Sequence, residues 1–501
     1  MVTGYLDNYY ARLGIPRSAT QDEIRHAYHL AARKFHPDYN KDKSAVEVFL
    51  QIQEAYETLS SATARATYDQ LLPADISTPK NLLVNAIYSR QALAKMDRSQ
   101  LIYVLLNINA APNPNNTVSR QPLNICVVLD ISNSMSGGRL SAIKDTANQI
   151  IRALKPEDIL SVVAFNDRAD VIIPATRNQN LNMLIAKISQ VSASGGTEIF
   201  KGLETGYQEL TKNLNPRFTN HIILVTDGRT YGDEEECLQL AKLAAEQGIS
   251  IHTIGIGDEW NDEFLDPLAS ITGGNNQFAE TPNAIQVFLQ EKFGRIQNTF
   301  VNNVTLHLNM PKQVELRYAF RMKPDTSSII VAHSLALGDI PKDQPLSVLM
   351  EFLIQSTGDQ EEFQFLDGSL DFMMPSAPIP NISSRLTFSR PVSENPRPVP
   401  PPHILVQAMS RLSMYRLQEM ARKDLRLGNV HQATQRLKNL ATQLLTAGED
   451  HLARTVMLEL DHIGKNQDMS DIAHKQIKYG TRALVLENFE EEVSHDNLSE
   501  L

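Results

Sequence analysis

LNICVVLDISNSMS, residues 123–136, joins a buried-strand pattern to a cluster of hard oxygen ligands. Leu123, Ile125, Val127, Val128 and Leu129 form a nearly continuous apolar run, as expected of a parallel strand covered on both faces. The run stops at Asp130, and Ser132 and Ser134, two residues apart, are spaced so that both hydroxyls point into one loop-enclosed cavity. Two later segments complete the set. SGGT, residues 194–197, is a glycine turn that delivers Thr197, and HIILVTDG, residues 221–228, is a second apolar strand that ends in Asp227. Oxygen ligands with two carboxylates and no Cys or His favour a hard divalent ion, magnesium before manganese or calcium.

Around this stretch, residues 123–298 alternate strand and helix patterns. A helical stretch at 139–154 leads to a strand at 159–166 and a short edge strand at 171–173, and two helical stretches flank the 195–197 turn. After the second apolar strand come a helix to residue 247, a strand at 249–257, and helices near 262–272 and 282–297. This alternation predicts an α/β doubly wound parallel sheet, whose ligand crevice lies at the carboxyl ends of its strands, where Asp130 and Asp227 fall. The set Asp130, Ser132, Ser134, Thr197 and Asp227 resembles the metal-ion-dependent adhesion site of von Willebrand factor type A domains, all five positions being present in order. That resemblance implies hydroxyls bound directly to the metal, aspartates acting through water, and one coordination position left for a partner's carboxylate. With few direct protein charges, the cation stays electrophilic toward an acidic ligand.

The second strong pattern lies at residues 7–70. In DEIRHAYHLAARKF, residues 22–35, Ile24, Ala27, Tyr28 and Ala31 recur at helical spacing, with Arg25, His26, Arg33 and Lys34 on the other side. Pro37 ends the helix within His36-Pro37-Asp38, because it disfavours helical geometry in the residue before it. A second helix follows with Phe49, Ile52, Ala55, Tyr56 and Leu59 on one face. The series Tyr9-Tyr10, Leu13, Gly14, DEI, AY, HPD, EAYETL and YDQ resembles a J domain. The resemblance implies a DnaK-type chaperone ATPase as partner, with Arg25, Arg33 and Lys34 docking and His36, Pro37 and Asp38 stimulating hydrolysis. His29 and Leu30 depart from it, standing where many members carry Lys or Arg.

At 501 residues the chain is long enough for three or four domains. Its net charge of -11 argues against a nucleic-acid partner and against a polybasic membrane anchor. No apolar run approaches the ~18 residues of a membrane span, and no secretory signal is visible. Cys126 in the buried strand and Cys237 on a helix read as packed free thiols, which points to a reducing cytoplasm.

The expected architecture is multidomain, with an all-α J domain at 1–72, a linker at 73–80 and β-strands at 81–122. The type A domain occupies 123–298 and is inserted in an antiparallel β-sandwich completed by 299–390, with strands at 304–308, 314–320, 328–331, 346–354, 363–373 and 385–388. A flanking β-domain of this kind resembles that of some bacterial type A proteins. PVSENPRPVPPP, residues 391–402, reads as a stiff linker. A helical bundle at 403–484, punctuated by Gly428, Gly448 and Gly464, precedes an acidic tail at 485–501. Its ending KQIKYGTRALV, residues 475–485, resembles the C-terminal segment of some bacterial type A proteins.

Enzymatic chemistry has little support. Gly255-Ile256-Gly257 lacks the rest of a dinucleotide fingerprint, and no phosphate loop of the GxxxxGK type occurs. An aspartyl phosphatase normally needs a second Asp two residues after the first, and that place is Ser132. His221 opens a strand and His252 sits inside one, where packed or hydrogen-bonded core histidines are the common case. The reading is a non-enzymatic J-domain co-chaperone or adaptor that captures a protein partner through a magnesium-dependent site. The alternative is an assembly subunit for an AAA+ or chelatase-type machine, with the J-like helices as a docking platform.

Overall fold

The computed structural model describes residues 9, 13, 19–35, 43–71, 82–95, 98–110, 120–177, 180–228, 232–257, 260–377, 380–396 and 399–487. At the N-terminus, α1 (Gln21–Phe35), α2 (Lys43–Leu59) and α3 (Ala62–Leu71) pack through Leu13, Ile24, Ile52, Ala55 and Leu59. Thr20 and Glu23 form a reciprocal capping box: Thr20 N donates to Glu23 Oε2 at 2.6 Å, and Glu23 N to Thr20 Oγ1 at 3.3 Å. The rings of Tyr28 and Tyr56 stack at 4.0 Å across α1 and α2. Arg25 is exposed on α1, 3.4 Å from Asp22. His36, Pro37 and Asp38, and the side chains of Leu30, Arg33 and Lys34, lie outside the described residues, as do the 73–80 linker and most of the acidic tail.

The chain continues through β1 (Leu82–Tyr88), β2 (Leu93–Ala94) and β3 (Gln100–Ala110) before entering the type A region at β4 (Leu123–Asp130). There follow α4 (Gly138–Ala153), β5 (Ile159–Phe165), β6 (Ala169–Arg177), α5 (Leu181–Ser189), α6 (Ile199–Thr211), β7 (Thr219–Thr226), α7 (Glu234–Glu246), β8 (Ile249–Ile256), α8 (Asp262–Ile271), β9 (Asn276–Ala279) and α9 (Pro282–Gln297). The six strands are ordered β6-β5-β4-β7-β8-β9, parallel except for β6, which runs antiparallel to β5. The period-two alternation of β4 divides its side chains between two layers. Ile125, Val127 and Leu129 pack with α4, α5 and α9, while Cys126 and Val128 pack with α6, α7 and α8. Each such fully buried aliphatic side chain is worth roughly 1.5–3 kcal/mol.

Helix α6 sits so close to β4 that a Cβ on Gly206 would lie 2.5 Å from Val128 Cγ2 and 3.2 Å from Cys126 Sγ. Gly206→Ala is therefore expected to destabilise the domain by roughly 1–3 kcal/mol through overpacking. A thermal melt measures this; an unchanged midpoint would mean that the helix is not seated so tightly.

The chain then returns to the first β-segment. β10 (Thr299–His307), β11 (Val314–Lys323), β12 (Ser327–Ser328), β13 (Ser334–Pro341), β14 (Leu346–Ile354), β15 (Glu362–Met373) and β16 (Asn381–Ser393) complete two five-stranded sheets, β1-β3-β14-β11-β12 and β13-β10-β15-β16-β2. The join between the two halves of the sandwich is β3 against β14, antiparallel from Ile108↔Leu346 to Gln100↔Ile354. Residues of both sheets share one core, among them Ile102, Val104, Phe352, Phe365 and Phe388.

Several sequence expectations shift. The edge strand expected at 171–173 runs over the whole of β6, and the strand expected at 328–331 is only the pair in β12. β13 is a further strand whose alternation is broken by Gly338, with φ +101°, and by Pro341, so its sequence carries no clear strand pattern. β16 extends through Pro391 into the expected linker, since Val392 pairs with Leu93 at the sheet edge.

Four helices close the described chain: α10 (His403–Arg426), α11 (Val430–Thr446), α12 (Asp450–Asn466) and α13 (Asp471–Glu487). Gly428 and Gly448 end two of them with positive φ, but Gly464 lies inside α12, which ends at Gln467 in the left-handed conformation. Leu405, Leu412 and Tyr415 of α10 and Val485 of α13 pack on Leu105, Phe320 and Leu349 of the sandwich. Cys126 and Cys237 are both buried and unpaired with each other. Among the described residues, no helix is long and apolar enough to cross a membrane.

Candidate functional site

Asp130 terminates β4 and Asp227 follows β7, so neighbouring parallel strands bring the two carboxylates to one edge of the sheet. Ser132 and Ser134 lie in a single 3-10 turn after β4, with their hydroxyls 3.0 Å apart. Ser134 Oγ donates to Asp227 Oδ1 at 2.7 Å, closing the link between the two strand ends. Thr197 is on the loop before α6, and its Oγ1 stands 3.0 Å from where a Cβ on Gly228 would be. All five predicted residues thus meet at one place. Asp130, Ser132, Thr197 and Asp227 are buried and Ser134 is exposed, so the cluster opens to solvent on the serine side.

The loop that carries Thr197 is fixed by backbone pairs: Ser194 N donates to Ile131 O at 2.7 Å, Asn133 N to Gly195 O at 3.2 Å, and Glu198 N to Asn166 O at 2.9 Å. Gly195 has φ +78°, which strains any residue with a side chain, and a Cβ there would also displace Asp167 Oδ2, 2.6 Å away. The same Asp167 carboxylate accepts from Gly196 N at 3.1 Å.

Two residues of the cluster were not singled out from sequence. Thr226 Oγ1 donates to Asp130 Oδ2 at 2.6 Å, while Ser132 N donates to Asp130 Oδ1 at 2.8 Å, so both oxygens of Asp130 are engaged from behind the serines. Arg139, at the start of α4, holds Asp227 Oδ2 at 2.5 Å. Thr226 was legible as the residue before Asp227, and Arg139 as the cation five residues after Ser134; only the fold shows what they touch. Burial raises the Asp130 carboxyl to about 6, against the hydrogen bonds from Thr226 and Ser132 that lower it and with the Asp227 charge that raises it further.

The donor set fits a hard divalent cation. Hydroxyls and carboxylates converge without sulfur or nitrogen ligands, Asp130 is held as an orienting group, and one oxygen of Asp227 is shared with Arg139.

His221 and His252 lie toward the opposite, amino ends of β7 and of its neighbour β8. They are buried, with His221 Nδ1 and His252 Nε2 3.0 Å apart. Burial and the nearby Lys292 charge push His221 down to about 3, and burial with the Lys292 charge holds His252 well below the usual imidazole range, so both rings are neutral at physiological pH.

Comparison with known proteins agrees with these features region by region. The von Willebrand factor type A domain family matches residues 124–293, the DnaJ domain family residues 8–69, and the Sll0103-like C-terminal alpha-helical domain family residues 403–487. Protein sll0103 of Synechocystis is 33% identical over 258 residues, 50% of this chain and 61% of that protein. The chaperone protein DnaJ of Dictyoglomus thermophilum is 59% identical over 63 residues, 13% of this chain and 16% of that protein. The chain thus spans about three fifths of the one and about a sixth of the other. Among solved structures, a von Willebrand factor type A protein from Catenulispora acidiphila superposes with TM-score 0.63 at 16% identity, covering 82% of this chain and 98% of that one. The ArnB paralog VWA2 from Sulfolobus acidocaldarius superposes with TM-score 0.52 at 13% identity, covering 81% and 100%. These likenesses of fold extend well beyond residues 124–293.

Proposed function

We propose that this chain, which carries a DnaJ domain, a von Willebrand factor type A domain and an Sll0103-like helical domain, is a non-enzymatic co-chaperone or adaptor of a reducing cytoplasm. Its N-terminal helices recruit and stimulate a DnaK-type ATPase, through Arg25, Arg33 and Lys34 for docking and His36, Pro37 and Asp38 for triggering. Ser132, Ser134 and Thr197 offer hydroxyls, and Asp130 and Asp227 orienting carboxylates, to a magnesium ion. When bound there, the ion supplies an electrophilic position for one carboxylate of a protein partner. The observation that carries the reading is the meeting of these five oxygen-bearing residues, with Ser134 on the solvent side, in a chain whose N-terminus is 59% identical to a DnaJ over 63 residues.

Single-turnover ATP hydrolysis by a DnaK-type chaperone tests it, with this protein and its His36→Gln variant. Wild type is expected to accelerate hydrolysis and the variant to return it to the basal rate. No acceleration by wild type would favour the other reading, a docking platform for an AAA+ or chelatase-type machine, which the uncharged Leu30 on the otherwise basic helix also fits.

A further inference from the structure

At the amino ends of β7 and β8, away from the oxygen cluster, the type A domain meets the β-sandwich through three side chains with complementary chemistry. His221 and His252 come from the type A sheet and Asp339 from β13. One ligand atom from each of the three lies within 4.8 Å of the others. We propose that His221, His252 and Asp339 form a second metal site, selective for zinc or a similar borderline cation, that staples the type A domain to the β-sandwich. It does not depend on the adhesion-site reading and would stand if that reading failed.

Three observations support it. First, His221 Nδ1 and His252 Nε2 are 3.0 Å apart, and an opening of roughly 0.3 Å would give the roughly 3.3 Å that separates two nitrogens on one tetrahedral centre with bonds of about 2.0–2.1 Å. Second, the remaining atoms of the ligands are already held. Asp339 Oδ1 accepts from Asn303 N at 2.8 Å, which orients the carboxylate and leaves Oδ2, 3.7 Å from His221 Nε2, as the oxygen that would turn to the metal. His252 Nδ1 lies 3.1 Å from Asn275 Oδ1, so a proton on Nδ1 donates to that amide and leaves Nε2 its lone pair. Third, a cavity of about 30 Å³ lined by His252, Asp339, Lys292 and Arg321 adjoins the group, with room for about one water as a further ligand.

The cations beside the site are already paired. Lys292 Nζ is 2.5 Å and Arg321 Nη2 2.9 Å from Asp325. Without metal the same atoms make a relay, in which Asn275 N donates to His252 Nδ1 at 3.3 Å and His252 Nε2 to His221 Nδ1. Two neutral imidazoles and one carboxylate suit zinc better than magnesium, so the two sites are separable by metal.

The test is zinc titration of the full chain against a competing chelator dye in excess magnesium. One tight zinc per chain is expected, retained in Asp130→Ala and weakened by at least about a hundredfold in His252→Gln and in Asp339→Asn. Asp339→Asn keeps the acceptor for Asn303 N and so keeps the fold, which a thermal melt without zinc verifies. Cobalt substituted in the wild type should give the intense visible bands of a tetrahedral site, and zinc should raise the melting temperature of the wild type but not of the two ligand variants. Absence of a tight zinc in the wild type, or equal zinc affinity in wild type and Asp339→Asn, would overturn the site and leave the histidines as the hydrogen-bonded relay.

Discussion

On the function proposed above, Asp130→Ala is expected to abolish magnesium binding at the strand ends and capture of an acidic partner, and to leave stimulation of a DnaK-type ATPase unchanged. Asp130 is fully buried, and its two oxygens hold Ser132 N at 2.8 Å and Thr226 Oγ1 at 2.6 Å. Alanine removes the charge that a divalent ion needs behind the hydroxyls, and it releases the turn that aims Ser132. It also leaves two buried donors unpaired, at roughly 1–3 kcal/mol each, so some loss of stability accompanies the loss of binding. Ser134→Ala separates the two effects, since Ser134 is exposed and, among the described residues, its hydroxyl bonds to Ser132 and Asp227 alone. Titration of the full chain with magnesium, and with manganese followed by electron paramagnetic resonance, should show the loss in both variants. Binding of manganese to Asp130→Ala as tight as to wild type would remove the adhesion-site role.

Asp262→Ala should detach the C-terminal helices from the type A domain. Asp262 Oδ2 is met by Lys478 Nζ at 2.6 Å, Arg422 Nη1 at 3.0 Å and His474 Nε2 at 3.3 Å, so α8 is gripped by both α10 and α13. Asp266, one turn on, pairs with Lys478 at 2.6 Å and Arg482 at 2.8 Å. Removing one carboxylate strands buried cations, a change that typically costs 3–5 kcal/mol. Burial alone would raise both carboxyls, but their partners outweigh it: the His474 hydrogen bond and Lys478 charge hold Asp262, and the Arg482 and Lys478 charges hold Asp266, well below the usual range. Because the folded values are depressed, this stabilisation is complete above the unfolded carboxylate pKa of about 3.9 and is lost as pH falls below it. Limited proteolysis should therefore release residues 403–487 readily from Asp262→Ala at neutral pH, and from wild type only in acid. Equal resistance of variant and wild type at neutral pH would mean that the ring contacts of Tyr415 with Phe320, and of Tyr479 with Trp260 and Phe278, hold the helices by themselves.

The division between what sequence and structure contribute follows particular residues. The apolar run of β4, the DISNS turn, the glycine turn before Thr197 and the apolar run to Asp227 were legible in sequence, because each is local and strand periodicity records burial directly. The same holds for the apolar faces of the helices at both ends of the chain, such as Ile24, Ala27, Tyr28 and Ala31 or Ala433, Leu437, Leu440 and Leu444. The tertiary structure alone revealed that Thr226 and Arg139 hold the two aspartates, since neither residue type nor spacing specifies a side chain's direction. It alone joined β3 to β14 across the inserted domain, a pairing selected by the fit of two apolar faces far apart in sequence. The ion network on Asp262, and the approach of Asp339 to His221 and His252, are likewise contacts between separately patterned segments. Local sequence fixes which face of an element is apolar, but which polar groups meet at the seams depends on how those faces are stacked, and that only the assembled fold decides.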